Sequence, residues 1–409
     1  HRPGTAPRGS PLSNILQGIY ACSVNILLSV LAGLFLLVAL PCQSDPLLEP
    51  GNQPVGKLNI TLIDSSRPTP TDSKETTSNQ RVLDTTVWYP SNPRKHEWLR
   101  PGPPPLASQV CPAPLVIYSH GFMSMRHNGA YLAGYLARQG YIVAAADFPL
   151  THLGTPGGPR FVDVLNQPGD VSFIIDSLLN DHPDGLPELG DCIDPQRIAA
   201  VGLSLGGMTT TLLTFHPELR DTRIAAAVSI AGPVAMLGKA FFQRDAPPFM
   251  MIAGDIDAMV DYQDNIEVLA DWSPETTRVT LHGGSHTGFA GVAGWLMRWL
   301  DNPDSVGCWA LRGRIDEQPE VPEGFMDALR GQVGEPESDM SLRPCHDPTL
   351  PHALRPQYQL MLTSYSIYAF LQGNLHPDAN TRAHYTRLLE ETLPGRYPEL
   401  SVTPRPVPQ

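Results

Sequence analysis

From Leu115 onward, short apolar runs alternate with helix-like patterns: "LVIYS", "YLAGYLARQG", "YIVAAAD", "DVSFIIDSLL", "RIAAVGLS", "LGGMTTTLLTF", "RIAAAVSIAG", "PPFMMIAGD" and "TRVTLHGG". Runs of this kind without polar alternation predict strands buried on both faces, and the helices between them predict a parallel sheet of doubly wound α/β type. Upstream, "KLNITLI" (Lys57 to Ile63) and "RVLDTTVWYP" (Arg81 to Pro90) lie in a Pro-, Ser- and Thr-rich region and predict an entry hairpin or edge strands. The alternation fails after Trp299, and residues 301–351, rich in Pro, Gly and acid, read as a long loop insertion. Beyond it, "QYQLMLTSYSIYAFLQGNL" (Gln357 to Leu375) predicts a packed helix, and residues 395–409 read as a loose tail. One catalytic-size domain, 45–394, accounts for the pattern.

The first 44 residues differ in kind. Arg2 and Arg8 precede "ILLSVLAGLFLLVAL" (Ile26 to Leu40), and no charged residue lies between Arg8 and Asp45. That order of basic, apolar and polar segments is that of a signal peptide for secretion. The uncharged span from Ile15 to Leu40 also exceeds the roughly 20 residues that cross a bilayer, so the alternative is a retained membrane anchor. Pro41 before Cys42 departs from the small residue of a lipoprotein cleavage site, and Cys22 belongs to the apolar segment itself. Removal of this segment leaves Cys111, Cys192, Cys308 and Cys345. In an extracellular or periplasmic setting an even number predicts two disulfides, and the lack of C-x-x-C spacing argues against a zinc ribbon or redox motif.

Composition narrows the partners. The chain has 409 residues, 42% of them apolar, and a formal charge of -13 with no basic run. A nucleic-acid partner would need clustered Lys and Arg, so it is excluded as a reading.

The candidate chemistry sits at strand ends. "GLSLG" (Gly202 to Gly206) lies between an apolar strand and a helix, the setting of a nucleophile elbow, in which the turn presents the Ser204 hydroxyl above the sheet. A serine needs an imidazole to take its proton and a carboxylate to orient that imidazole. Downstream, "MMIAGDIDAMV" places Asp255 and Asp257 just past one strand, and "VTLHGGSHTGF" places His282 and His286 past the next. His286 is the better base because its glycine-flanked loop can reach back over the sheet, whereas His282 sits at the strand end; the residues alone leave the two acids open. "LVIYSHGF" (Leu115 to Phe122) ends a strand in a loop whose Phe122 N–H, with the N–H of Leu205, would form an oxyanion hole. His120 reads as a packing residue that fixes this loop. Met208, Met259, Phe122 and Leu205 would line an acyl or aromatic substrate portion, or serve as core. The four-residue spacing of His282 and His286 invites a metal reading, but the two glycines between them disfavour a helix and no Glu stands in an H-E-x-x-H position.

Taken together, "VWYP", "YSHGF", "GYIVAAADFP", "NQPGDVSFIIDSLL", "GLSLGG", "GDIDAMV" and "GGSHTGF" resemble the α/β-hydrolase superfamily. The likeness is nearest to its secreted dienelactone-hydrolase-like and platelet-activating-factor-acetylhydrolase-like branch. It implies an eight-stranded, mostly parallel sheet, serine esterase activity on a short-chain or lipid-like ester, and no cofactor. It also implies Asp257 as the acid, with Asp255 as runner-up. Departures are Leu203 before the serine, where many relatives carry His, and Leu205 after it, where polyester hydrolases usually carry Met. The same triad would serve a polyester hydrolase or an amidase, while a non-catalytic binding protein on this scaffold would normally lack a triad member. In the hydrolase fold the strands after Cys111 and Cys192 are parallel neighbours, so these cysteines are expected to pair at the sheet edge away from the site. Cys308 and Cys345 are left to pair within the insertion.

Overall fold

The computed structural model of the protein describes residues 48–70, 78–92, 102–180, 186–315, 321–331, 344–346 and 349–405. The expected signal or anchor segment, 1–44, lies outside them. Among the described residues no helix is long and apolar enough to cross a membrane.

The strands are β1 (Val55–Asp64), β2 (Arg81–Pro90), β3 (Ala113–Ser119), β4 (Ile142–Asp147), β5 (Ile193–Leu203), β6 (Ile224–Ile230), β7 (Phe249–Gly254), β8 (Thr277–Leu281) and β9 (Leu400–Thr403). They form one sheet in the order β1-β2-β4-β3-β5-β6-β7-β8-β9. The inner strands from β4 to β8 run parallel, while β1, β2 and β9 are antiparallel to their neighbours. Every residue of β3 and β7 is buried, as their unbroken apolar character requires when helices cover both faces.

On one face, α2 (Gln167–Asn180) and α3 (Leu205–Phe215) pack over Leu115 and Ile117 of β3, Ala227 of β6 and Met251 of β7. On the other, α1 (Ala130–Arg138) meets α5 (Pro356–Leu375) through Tyr135, whose ring lies 6.0 Å from Tyr365 and 5.8 Å from Tyr368. The α5 helix is buried almost all round. Its buried Thr363, Ser364 and Ser366 hydroxyls donate to the carbonyls of Gln359, Leu360 and Leu362 at 2.7, 2.8 and 2.9 Å, so no polar group there lacks a partner.

Two expectations are corrected. The sheet has nine strands among the described residues, not eight, because the segment read as a loose tail supplies β9, paired along Leu281↔Leu400 to Arg278↔Thr403. Pro398 and Pro404 flank this strand and keep it short, and it lies at the sheet edge. The insertion is also not mere loop: it contains α4 (Asp304–Ile315) and a short helical stretch, Phe325–Arg330. Asn302 starts α4 by accepting the Asp304 N–H on its side-chain oxygen at 2.8 Å, with Pro303 between them, a helix-start signature inside an otherwise loop-like composition.

Both disulfides are present. Cys111 and Cys192 lie 4.9 Å apart at Cα, just before the parallel neighbours β3 and β5. Cys308 and Cys345 lie 5.6 Å apart and tie α4 to the far end of the insertion.

Candidate active site

Ser204 separates β5 from α3 with φ 57° and ψ -118°. A non-glycine residue there carries strain of roughly 1–3 kcal/mol, which the surroundings must hold in place. They do so by close approach: a Cβ on Gly202 would strike the Gly206 carbonyl, and one on Gly206 would strike the Ser119 carbonyl. The Ser204 N–H is anchored to the Ile230 carbonyl at 2.8 Å. The side chain is half-exposed at the carboxyl edge of the parallel strands, and among the described residues its hydroxyl makes no hydrogen bond.

Asp257 follows β7 and His286 follows β8 at this same edge. His286 Nδ1 donates to Asp257 Oδ2 at 2.7 Å. Asp257 Oδ1 accepts the N–H groups of Met259 and Val260, both at 2.8 Å. Burial pushes the Asp257 carboxyl up from its ordinary value, against the opposing pull of His286. Burial disfavours the charged imidazole as well, but the charge and hydrogen bond of Asp257, with the charge of Asp304, outweigh it, and His286 is raised above its ordinary 6.5. With the Nδ1–H engaged in the hydrogen bond to Asp257, the neutral ring has Nε2 as its acceptor. After His286 the chain runs back across the sheet edge, since Gly291 and Val292 donate at 3.1 Å to the backbone and side-chain oxygens of Asn128, in the loop after β3.

The loop after β3 supplies the other wall. A Cβ on Gly121 would lie 3.2 Å from Ser204 Cβ and 3.8 Å from its Oγ, so the Gly121–Phe122 backbone passes directly beside the serine. Neither the Phe122 N–H nor the Leu205 N–H donates to a backbone acceptor among the described residues. His120 is fully committed: Nδ1 donates to the Gly121 carbonyl at 2.8 Å, and Nε2 accepts the Phe148 N–H at 3.1 Å. Burial, only partly offset by the Gly121 carbonyl and Asp147, pushes His120 down to about 4, so it is a neutral strut.

No protein-family model matches the chain, and no curated protein does. Among solved structures, a ferulic acid esterase from Streptomyces cinnamoneus is similar over 90% of this chain and 98% of its own, with a TM-score of 0.50 and 21% identity. The chain has the α/β-hydrolase fold.

Within that fold the two runner-up residues prove to be partners of each other. His282 Nδ1 lies 2.9 Å from Asp255 Oδ2, and the Gly283 N–H donates to Asp255 Oδ1 at 2.6 Å. This pair is largely exposed, and it braces the β7 and β8 loops from outside. Each histidine therefore has its own aspartate, and the two rings do not converge. Of the residues expected at the substrate, Phe122 and Met259 are half-buried beside the edge, while Met208 is fully buried in the core cluster.

One residue went unmarked in the sequence reading. Asp304, fully buried, accepts the N–H groups of Ala258 and His286 on Oδ2, both at 3.1 Å, and that of Thr287 on Oδ1 at 2.6 Å. Its only sequence signal was the Asn302-Pro303-Asp304 helix start.

Proposed function

We propose that the protein is a serine carboxylester hydrolase working through an acyl-enzyme. The observation that carries this reading is a strained elbow serine at the same sheet edge as a buried, hydrogen-bonded Asp257–His286 pair. Ser204 Oγ attacks the ester carbonyl carbon while its proton passes to His286 Nε2. The oxyanion of the tetrahedral intermediate takes the N–H groups of Phe122 and Leu205, which have no backbone partner among the described residues. The imidazolium, held against Asp257, then gives its proton to the departing alkoxide. Water repeats the sequence on the acyl carbon, and the carboxylic acid leaves with Ser204 restored.

The substrate class in this proposal is a short-chain or lipid-like ester, as the resemblance to secreted dienelactone-hydrolase-like and acetylhydrolase-like enzymes implies. Apolar surface on the chain that follows His286 supports it: Trp295, Trp299 and Trp309 are exposed over 67, 80 and 79% of their surface. Two disulfides support work in an oxidising, extracellular-type compartment.

The test is a fluorophosphonate probe together with p-nitrophenyl esters of increasing chain length, an acetyl phospholipid, an aryl ester and an anilide. The expected result is covalent labelling at Ser204 and turnover of the shorter esters. Absence of both labelling and ester turnover would overturn the function, and faster turnover of the anilide would shift it to an amidase.

A further inference from the structure

The insertion between β8 and α5 reaches into the site at one point. We propose that Asp304 is a positioning residue for the reaction, a second carboxylate that holds the acid loop and the histidine loop together and faces the imidazole with its charge. The inference rests on the triad reading above.

Three features of the geometry support it. First, Asp304 is fully buried, and its three acceptor contacts go to peptide N–H groups of the two loops that carry Asp257 and His286. No Lys or Arg forms an ion pair with it among the described residues. A buried carboxylate without a cation is costly. Fixing two loops could be done by a neutral acceptor, so a charge at this position needs a further reason. The reason is the imidazolium formed when Ser204 loses its proton. The charged groups facing His286 are Asp257, from the loop after β7, and Asp304, from α4, and both favour its protonated form.

Second, the Ala258 peptide, next to Asp257, is gripped from both sides. Its N–H donates to Asp304, and its carbonyl accepts the Cys345 N–H at 2.6 Å. Cys345 is bridged to Cys308, one helical turn beyond Asp304 on α4. The bridge therefore closes a clamp consisting of α4, the acid loop and the histidine loop.

Third, α4 is seated tightly. A Cβ on Gly307 would strike the Thr287 hydroxyl and the Met259 methyl, so the helix lies against the residue that follows His286 with no room for a side chain.

The experiment compares Asp304→Asn with the wild type in the full chain, using p-nitrophenyl butyrate for kcat and KM across pH and circular dichroism to establish folding. Asparagine keeps the shape and removes the charge. The expected result is a kcat lowered roughly 10- to 100-fold with KM nearly unchanged, the range set by misplacement of a catalytic group, and an acidic limb of the pH profile moved to lower pH. A merely structural residue would lower the melting temperature and leave that limb in place. A folded Asp304→Asn with wild-type kcat and an unmoved limb overturns the proposal. Should Asp304→Asn fail to fold, the double variant Cys308→Ser/Cys345→Ser carries the test, because it leaves the charge and frees the helix. Lowered kcat at retained KM supports the clamp, and wild-type kcat overturns it. Ser204→Ala in the same assay separates the two levels, since activity surviving there removes the triad reading whatever the Asp304 variants do.

Discussion

Around Arg81, two buried carboxylates, Asp163 and Asp170, face one fully buried guanidinium; at His286, two buried carboxylates meet one residue, Asp257 bonding the imidazole and Asp304 the backbone N–H. In the first cluster each carboxylate is held by a guanidinium. Arg81 donates from Nε and Nη2 to Asp170 at 2.6 Å each, and from Nη1 and Nη2 to Asp163 at 3.2 and 2.9 Å. Arg67 adds a second cation to Asp170 at 2.8 Å and continues to Asp64 at 2.7 Å, so two guanidiniums hold three carboxylates across the seam between the β1–β2 hairpin and the start of α2. The second cluster is arranged so that one ring nitrogen has no partner among the described residues and the carboxylates are satisfied mainly by peptide N–H groups. Carboxylates each held by a permanent guanidinium make a joint, whereas carboxylates around an imidazole that titrates make a base.

The sharpest way to break this contrast is to remove the group that the base serves. Ser204→Ala should abolish ester hydrolysis, with a loss on the order of 10⁶-fold in kcat, while the melting temperature stays within a few degrees, since Ala keeps the Cβ and the backbone conformation of the turn. Activity within about tenfold of wild type would falsify the nucleophile assignment, since no triad survives such a loss intact.

Next comes the ring's orienting partner. Asp257→Asn should lower kcat by about 10⁴-fold, because the amide presents a donor where His286 needs an acceptor and turns the tautomer the wrong way. Asp255→Asn should change kcat less than about fivefold, as an exposed pair contributes about 1 kcal/mol at most. The reverse ranking would exchange the two aspartates and make the outer pair with His282 the working one.

The joint should respond in the opposite currency. Arg81→Met leaves Asp163 and Asp170 buried without their main cation, and loss of one partner from a buried pair costs about 3–5 kcal/mol. Urea unfolding should show that drop, with kcat per folded molecule unchanged. A stable variant with impaired kcat would mean that the Arg81 cluster is not the separate structural unit described above.

How much of this was legible follows from the same physics. The inner strands read clearly because each is apolar on both faces, and once β3 and β5 are taken as neighbours the Cys111–Cys192 bridge follows from their matched starts. Ser204 stood out because an elbow needs small residues on either side. Arg81 did not, since it opens "RVLDTTVWYP" as a polar flank and its burial depends on acids some 80 to 90 residues away. Asp304 was hidden by composition: a Pro-, Gly- and acid-rich stretch reads as loop, and what fixes α4 there is a disulfide and contacts to other loops. β9 was missed because four residues between prolines carry too little pattern to separate from a tail.

The smallest expected effect is in the pH response, and it tests whether the histidine cluster is poised as a base. His286 must be neutral to accept the Ser204 proton, and its pKa lies above the ordinary 6.5 because Asp257 and Asp304 together outweigh the effect of burial. The kcat/KM for p-nitrophenyl acetate should therefore rise with pH through a single limb whose midpoint lies above 6.5. His120 does not contribute to that limb, since burial pushes it down to about 4 and it stays neutral throughout. Stability moves the other way. A folded pKa raised above the unfolded value means that the fold favours the protonated ring, so this contribution is fully present below the unfolded imidazole's pKa and is lost as pH rises through the folded one. Melting temperature, corrected with a His286→Gln variant that cannot titrate there, should fall slightly over the pH interval in which activity rises. The Arg81 cluster offers no such trade, because its cation is raised further from neutrality by Asp170 and Asp163 despite burial. An activity limb below 6.5, or a His286-dependent stability that rises through it, would show that burial wins over the two carboxylates and that the cluster is not poised as a base.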